Sequence, residues 1–596
     1  MKIAVAQINS KIGDFAGNMA KITGYTEEAQ RAGCELVLFP ELAVCGYPPM
    51  DLLDQKSFVD ANESALQTLS QKIPAGLACA VGSVARNKLG QGKELTNAYS
   101  VLMDGAIQFT QVKTLLPTYD VFDEARNFEP ARSWEPFVLH GIRIGFAICE
   151  DLWRETEMPG VKYAENPVQR LLEQGIDILA APSASPYYMY KHAERLSLAD
   201  SVVRQGGLTL IYINAVGAND SIIFDGRSFV CGADGVLQPA KAMEEDLLIF
   251  EYKGNVENEG ERIHTSGWGG QHGATSDVPA PPVSSRTVQQ NVAVLSKRPS
   301  SATPAQHPAS ELDMLESALV LGLRDYMAKC GFVRCHLGLS GGIDSALVAC
   351  LAVTAVGAGN VAAFSMPSRF SSDGSKDDAR ALAANLGLRY QTLPIEPVFT
   401  AFLATLEGVF EGRPFDIAEE NVQARIRGSL LMAYSNKFNS MLLTTGNKSE
   451  LAMGYCTLYG DMNGALGPIG DLFKTDVFAL CRRINEKSRQ SSGVDLIPQE
   501  ILDKPPSAEL RPNQKDQDSL PPYEVLDEIL KLYLFQNLDA AEIAKRGIDR
   551  ALASDVIKTA ARAEFKRRQA PPVLKVSPRA FGMGRRLPIA RALQEL

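Results

Sequence analysis

Between about residue 254 and about residue 310 the chain loses the short apolar runs that punctuate the rest of it, and this gap sets the architecture. Gly, Ser, Thr, Pro and His dominate there, as in His264-Thr265-Ser266-Gly267-Trp268-Gly269-Gly270 and Val278-Pro279-Ala280-Pro281-Pro282. Such composition buries too little apolar surface to order itself. The stretch reads as a linker draped over the surface, which leaves two units, residues 1–253 and 311–596. At 45% hydrophobic and 22% charged, the 596 residues hold ample material for more than one core.

The first unit carries β-branched-rich runs at Ile3–Ile8, Glu35–Phe39, Gly141–Ile148, Asp177–Ala181 and Leu208–Asn214, separated by helical stretches. Each is short enough for a buried strand, and the alternation predicts a layered α/β fold. The second unit opens with a helix over about 311–329 and a strand over Cys335–Leu339. A Gly-rich turn, a helix at Ala346–Val356, a strand at Val361–Met366 and a helix at 377–386 follow. This is a βαβ unit with its loop at the carboxyl end of a strand, where ligands bind in open parallel sheets. The tail, about 521–570, reads as helical.

The formal net charge is -10 and no Lys/Arg-rich run occurs, which argues against nucleic acid as a partner. Ten scattered cysteines without a CxxC pair, Cys330 and Cys335 being the nearest two, suggest core thiols in a reducing compartment. The N-terminus runs straight into a strand-like pattern without a signal peptide, and no apolar stretch reaches spanning length. The expectation is a soluble cytoplasmic protein with no membrane partner.

Three segments of the first unit place a reactive side chain at the end of an apolar run: Glu41 after Leu38-Phe39-Pro40, Lys113 after Gln111-Val112, and Cys149 after Ile144–Ile148. A cysteine nucleophile needs its proton removed and its thiolate stabilised. Histidine usually helps, but there are six in all and none precedes His140, so a Cys-His dyad is poorly supported. A carboxylate can take the proton instead, and an ammonium can stabilise thiolate and oxyanion. Spacing alone leaves these roles open. A cysteine after a strand is more often a core thiol, a strand-end lysine is usually solvated, and a glutamate after proline is often a turn residue.

The wording of the segments narrows the choice. PELAVCGYPPMDLL (40–53), KTLLPTYDVFDEARNF (113–128), ICEDLW (148–153) and SASPYYMYKHAER (183–195) together resemble the nitrilase superfamily in its glutaminase branch. The resemblance implies an αββα sandwich and a triad of Glu41 as general base, Lys113 as transition-state stabiliser and Cys149 as nucleophile. It places glutamine recognition on Tyr119, Ser185 and Lys191, with Glu124 as an additional glutamate near the triad. Ala215 and Ala218 stand where that branch is expected to carry Gln and Gly.

In the second unit, Gly338-Leu339-Ser340-Gly341-Gly342-Ile343-Asp344-Ser345 sits between strand and helix. Adjacent glycines let backbone N–H groups approach phosphate oxygens, and the helix start favours negative charge. No Gly-Lys-Ser/Thr follows, so this is not a Walker A loop. Asp344 offers a hard oxygen ligand for Mg²⁺. Ser-Gly-Gly by itself is only a turn. In its strand–SGGxDS–helix setting it resembles the pyrophosphate loop of the N-type ATP pyrophosphatases, which adenylylate a carboxylate or carbonyl for attack by nitrogen or sulfur.

SMPSRFSS (365–372), ENVQARIR (420–427), TTGNKSE (444–450), YGDM (459–462) and EFKRRQAPP (564–572) together resemble the NAD⁺ synthetase family. With the front half, the whole chain resembles its glutamine-dependent form, with a Rossmann-like parallel sheet in the second unit. The resemblance implies ATP as co-substrate, held by Gly338 to Ser345, Thr445 and Lys474, with Ser507 a further candidate. It implies Mg²⁺ on Asp344 and Glu450, and deamido-NAD⁺ held by Asn421, Arg425, Glu450 and Lys566. It also implies a homo-oligomer. Leu458 stands where small ammonia-using members carry a lysine. Two rivals are another ATP-pyrophosphatase reaction such as tRNA modification, which the acidic balance opposes, and a non-catalytic front half, which the intact Glu41, Lys113 and Cys149 oppose.

Overall fold

The computed structural model describes residues 1–153, 163–232, 234–236, 239–254, 293–294 and 310–592. All five apolar runs expected of the first half are strands: Lys2–Gln7, Leu36–Leu38, Ile142–Phe146, Ile178–Ser183 and Thr209–Asn214. They fall into two sheets. One has seven strands, in the order Ala293–Val294, Asp246–Glu251, Lys2–Gln7, Leu36–Leu38, Ala78–Arg86, Leu95–Met103 and Ala106–Val112. The other has six, in the order Gly235–Val236, Phe229–Gly232, Thr209–Asn214, Ile178–Ser183, Ile142–Phe146 and Phe137–Leu139. At the centre of each sheet the strands run parallel.

Ile3, Val5, Leu38, Phe146, Ile178, Ile211 and Phe250 fill the space between the sheets. Helices α1 (Phe15–Arg31) and α2 (Lys56–Lys72) cover the outside of the first sheet through Ile22, Ala29, Leu66 and Leu69. Helices α3 (Pro167–Glu173) and α4 (Lys191–Gly206) cover the second through Leu171, Leu198 and Val202. Both faces of each sheet are therefore buried, which is why the central strands read as continuous apolar runs rather than alternating ones. The result is the αββα sandwich expected.

In the second half, α5 (Glu311–Lys329) matches its expected bounds and starts on a capping box between Ser310 and Asp313. The strand Cys335–Gly338 leads through the Gly-rich loop into α6 (Ile343–Val356). That helix begins three residues earlier than its apolar run, because Ile343, Asp344 and Ser345 form its first turn. Helix α7 (Asp373–Asn385) also starts earlier than expected, with Ser372 accepting from the Ser375 amide as its cap. Helices α8 (Glu396–Phe410) and α9 (Ile417–Phe438) follow. The parallel sheet is ordered Arg389–Thr392, Val361–Ser365, Cys335–Gly338, Met441–Leu442. Its strand order reverses beside Cys335–Gly338, so the Gly-rich loop opens at a topological switch point. The expected helical tail is real but broken at Asn537, whose left-handed backbone (φ 55°) ends the helix Tyr523–Gln536.

The two halves share a core. The hairpin Val216–Asn219/Ile222–Asp225 leaves the sandwich and lies on α5, so Val216, Ala218 and Ile223 pack with Leu315, Leu319 and Leu323. Gly322 permits the approach: a Cβ there would lie 2.9 Å from Ile223 and from Leu574. The returning C-terminal segment adds Lys575, whose ammonium is 3.0 Å from Asp120 and whose amide donates to the Ser221 carbonyl. No described helix is long and apolar enough to cross a membrane.

Candidate active sites

Strand ends from both sheets of the sandwich converge. Lys113 follows Ala106–Val112 and is completely buried. Its ammonium donates to Glu41 at 2.7 Å and to Glu124 at 2.8 Å. Asn97 donates to both carboxylates, at 2.8 and 3.4 Å, the Ala184 amide to Glu41 at 3.0 Å, and the Tyr47 hydroxyl to Glu124 at 2.8 Å. Asn97 Oδ1 is left without a partner among the described residues, but each carboxylate oxygen of Glu41 and Glu124 thus meets at least one donor. That matters because an uncompensated charge at such a depth costs several kcal/mol, about 3–5 when one partner of a buried pair is removed. Burial alone would lower the Lys113 pKa. Glu124, Glu41 and Cys149 outweigh it and hold the ammonium protonated well above the ordinary lysine range. Burial also raises the Glu124 carboxyl, opposed by Lys113 and reinforced by Glu41.

Cys149 opens a short 3-10 turn, Cys149–Leu152, in the left-handed region at φ 47°. Such a backbone costs a non-glycine residue about 1–2 kcal/mol. Asp151 anchors the turn by accepting the amides of Thr114, Leu115 and Ile148, which ties the cysteine to the end of the Lys113 strand. Burial and the Glu41 charge push the Cys149 thiol well above its usual value, with Lys113 opposing, so the thiol rests protonated beside a carboxylate. That arrangement suits a concerted proton transfer to Glu41 as sulfur attacks a carbonyl.

The three residues expected to recognise glutamine surround this centre. Tyr119 donates to both oxygens of Glu150, at 3.0 and 2.9 Å, and Tyr163 donates to Glu150 at 2.9 Å. Lys191 lies 3.7 Å over the Trp153 ring and 3.1 Å from Glu194. Ser185 is held by fully buried Arg195, which pairs with Asp225 at 2.7 Å and donates to the Ser185 carbonyl at 2.9 Å. One cation and one anion, Lys191 and Glu150, therefore face the region of Cys149, the pattern an α-amino acid zwitterion requires. Glu150, Asn97, Tyr47 and Arg195 were not singled out from the sequence. Glu150, Arg195 and Tyr47 do sit inside the segments quoted for the resemblance, whereas nothing in the sequence marks Asn97. Of the two alanines flagged there, Ala215 follows Asn214 at a strand end and Ala218 gives its amide to Asp325.

The second centre is a cavity of about 340 Å³ at the sheet's switch point. Gly338, Leu339, Ser340, Gly342, Ile343, Asp344 and Ser345 line it, as do Thr445, Glu450, Lys474 and Ser507. Gly341 holds the loop's left-handed turn at φ 81°, and a Cβ there would lie 2.2 Å from the Ser375 carbonyl oxygen. The Ser345 hydroxyl donates to the Gly342 carbonyl at 2.9 Å and the Gly342 amide to Ser340 at 3.1 Å, which fixes the loop over the start of α6. Lys474 donates to Asp344 and, at 3.2 Å, to Glu450, while Asn447 donates to Asp344 at 2.9 Å. Burial and Asp344 raise the Glu450 carboxyl, with Lys474 opposing. Arg427 also lines this cavity, its Nε 3.0 Å from the Met366 carbonyl and its pKa lowered by burial to about 10.

Asn421, Arg425 and Lys566 gather instead on the loop 454–461, whose Tyr455, Cys456, Gly460 and Asp461 form one wall of the cavity. Asn421 accepts from Thr457 at 2.8 Å, Arg425 donates to the Leu458 carbonyl at 3.3 Å, and Lys566 donates to the Gly454 and Cys456 carbonyls at 2.7 Å each.

The carbon-nitrogen hydrolase family matches residues 2–256 and the NAD synthase family residues 315–570. The glutamine-dependent NAD(+) synthetase of Synechocystis sp. is 44% identical, over 99% of this chain and 98% of its own. That of Thermotoga maritima is 40% identical, over 100% of this chain and 99% of its own. A solved structure of glutamine-dependent NAD+ synthetase from Acinetobacter baumannii in complex with ADP superposes with a TM-score of 0.72 at 33% identity, covering 99% of this chain and 98% of that one.

Glu41 is placed by a close backbone crossing. A Cβ on Gly82 would lie 2.2 Å from the Leu42 amide nitrogen and 2.8 Å from the Glu41 Cα. Gly82→Ala is therefore expected to displace Glu41 and slow amide hydrolysis at Cys149 by about tenfold or more, while adenine-nucleotide binding by the other half is unchanged. Ammonia release and titration calorimetry check the two halves separately; unchanged hydrolysis contradicts the placement.

Proposed function

The chain belongs to the family of glutamine-dependent NAD(+) synthetases, and from that premise we propose how its residues carry the reaction. The enzyme makes NAD⁺ by ATP-dependent amidation of deamido-NAD⁺ with ammonia taken from L-glutamine, through an adenylylated intermediate, and releases AMP and pyrophosphate.

In this reading the glutaminase unit spans 1–253, the synthetase unit 311–596, and residues 254–310 link them. Glutamine binds with its α-carboxylate at Lys191 and Ser185 and its α-ammonium at Glu150, which Tyr119 and Tyr163 hold. Cys149 attacks the amide carbon and its proton passes to Glu41. Two of the three Lys113 donors are occupied by carboxylates, and the third stabilises the oxyanion. Glu41 returns the proton to the leaving nitrogen, ammonia departs, and water activated by Glu41 hydrolyses the glutamyl thioester.

At the second centre the nicotinate carboxylate of deamido-NAD⁺ attacks the α-phosphate of ATP, and pyrophosphate leaves onto the amides of Ser340 to Ser345 at the start of α6. Thr445 and Lys474 contact ATP, with Ser507 at the rim; Asn421, Arg425, Glu450 and Lys566 hold deamido-NAD⁺. Ammonia then attacks the acyl carbon and AMP leaves. The division has a chemical reason: a carboxylate is a poor electrophile until adenylylated, and ammonia made on site is delivered unprotonated.

Asp344 and Glu450 suit Mg²⁺. Both present hard oxygens at the cavity beside the phosphate loop, and burial raises Glu450, which a bound cation would offset alongside Lys474. When bound, the ion neutralises charge on the departing pyrophosphate.

The observation that carries this reading is the buried Lys113 ammonium set between Glu41 and Glu124 beside Cys149, in a chain that also bears the SGGxDS loop over a nucleotide-sized cavity. With deamido-NAD⁺, ATP and Mg²⁺ supplied, Cys149→Ala is expected to form NAD⁺ from ammonium and none from glutamine. If Cys149→Ala still works with glutamine, the front-half assignment fails; if wild type works with neither nitrogen source, the back-half substrate is wrong.

The protein is also read as a cytoplasmic homo-oligomer. Helix α8 is strongly apolar yet fully buries only Phe399; Val398, Phe402 and Val409 stay exposed, alongside Phe415, Ile417 and Phe438. A second copy of the chain is the occupant proposed for this face. Light scattering is expected to give a multiple of the chain mass, and Phe402→Glu a smaller particle; a monomeric wild type contradicts it.

A further inference from the structure

Helix α5 belongs to the second half, but its C-terminal turn is bonded almost entirely to the first. The Lys329 ammonium donates to Asn9 Oδ1 at 2.7 Å, the Ala218 carbonyl at 2.7 Å, Asn219 Oδ1 at 2.8 Å and the Ser10 carbonyl at 3.4 Å. One turn earlier, Asp325 accepts from Asn9 Nδ2 at 2.6 Å and the Ala218 amide at 2.8 Å, and lies 3.6 Å from Lys329. The Asp325 and Lys329 side chains are only 10% and 18% exposed, so these bonds are made away from bulk water. The fit is tight: a Cβ on Gly217 would lie 2.2 Å from the Asn9 side chain.

The contact does not stop at the interface. Asn219 passes it on by donating from Nδ2 to the Tyr47 carbonyl at 2.8 Å. The Tyr47 hydroxyl then donates to Glu124, and Glu124 accepts from Lys113, each at 2.8 Å. Tyr47 is 5% exposed and packs edge-on against Phe224 of the hairpin that rests on α5. A path of hydrogen bonds, joined through the backbone and side chain of Tyr47, therefore runs from α5 to the triad. At its other end α5 packs along α6, whose first turn carries the phosphate loop.

We propose that Asp325 and Lys329 are positioning residues for the glutaminase reaction: they clamp Asn9, Ala218 and Asn219 so that Tyr47 holds Glu124, and through it Lys113, in the geometry that turnover at Cys149 requires. This rests on the reading of the two centres given above. It makes the front half's chemistry depend on a helix of the back half that touches neither glutamine nor the reacting atoms. A single largely buried ammonium with several carbonyl acceptors suits the role, because its three bonds of 2.7–2.8 Å are directional and shielded from salt.

Lys329→Met breaks the clamp, whereas Asn219→Ala removes the link to Tyr47 together with one Lys329 acceptor and leaves the Asp325–Lys329 pair with Asn9, Ala218 and Ser10. In the full-length enzyme both are expected to lower kcat for glutamine hydrolysis about tenfold with KM for glutamine changed less than about twofold. NAD⁺ synthesis driven by ammonium stays at the wild-type rate. Because one path is involved, adding Asn219→Ala to Tyr47→Phe lowers kcat no further than Tyr47→Phe alone. A merely structural contact would raise KM, slow both nitrogen sources together, or add its effect to that of Tyr47→Phe, and each of these results overturns the proposal, as does an unchanged kcat. Should Lys329→Met not fold, Asn219→Ala and the double variant decide. Wild-type synthesis from ammonium checks the reading of the back half independently of this clamp.

Discussion

A lysine ammonium buried without access to water exists only where its surroundings replace the hydration it has lost, and in this protein that requirement organises the front half. Lys113 needs both Glu41 and Glu124. They in turn need Asn97, the Ala184 amide and Tyr47, and these groups come from separate strands and loops of both sheets. The cluster is thus stable only when the sandwich is closed around it. The same enclosure, with the Glu41 charge, raises the Cys149 thiol, and in the proposed reaction the groups around it serve as the acceptor for its proton and the donor for the oxyanion.

The back half uses a related device in a more open setting. Lys474 also lies between two carboxylates, Asp344 and Glu450, but these border a cavity wide enough for a nucleotide. In the first centre the lysine is proposed to take part in the chemistry at an amide. In the second it sits where phosphates and a divalent ion are expected, beside a loop of amides already turned inward. Linking the two is a core that ignores the boundary of the halves: a hairpin from the sandwich fills the space beside α5, and the C-terminal segment returns to touch both.

Much of this was legible in the residues. Buried strands read correctly because both faces of each sheet are covered, which makes their sequences continuously apolar. Helix α5 has the bounds that its sequence pattern suggests, whereas α6 and α7 began early because their first turns are built from Gly, Asp and Ser that serve the site or cap rather than the core. Glu41, Lys113 and Cys149 stood at strand ends where convergence is natural. Asn97 was invisible, and Tyr47 lay unmarked within a quoted segment, because their roles depend on pairing between segments remote in sequence. Asn421, Arg425 and Lys566 were legible as motif positions, but only the folded chain brings all three to one loop beside the cavity. The Asp325–Lys329 clamp was hidden for the same reason: on a helix read alone, two charges four residues apart look like an ordinary solvated pair.

The account turns on Cys149 becoming acylated by glutamine within the Lys113 cluster. Its most direct test is mass spectrometry of the wild-type enzyme quenched in acid during turnover of glutamine, with the peptide bearing Cys149 isolated. A glutamyl group on Cys149, absent when glutamine is omitted, is the predicted result. Steady glutamine hydrolysis with the glutamyl group on another residue, or with none on any, would contradict it.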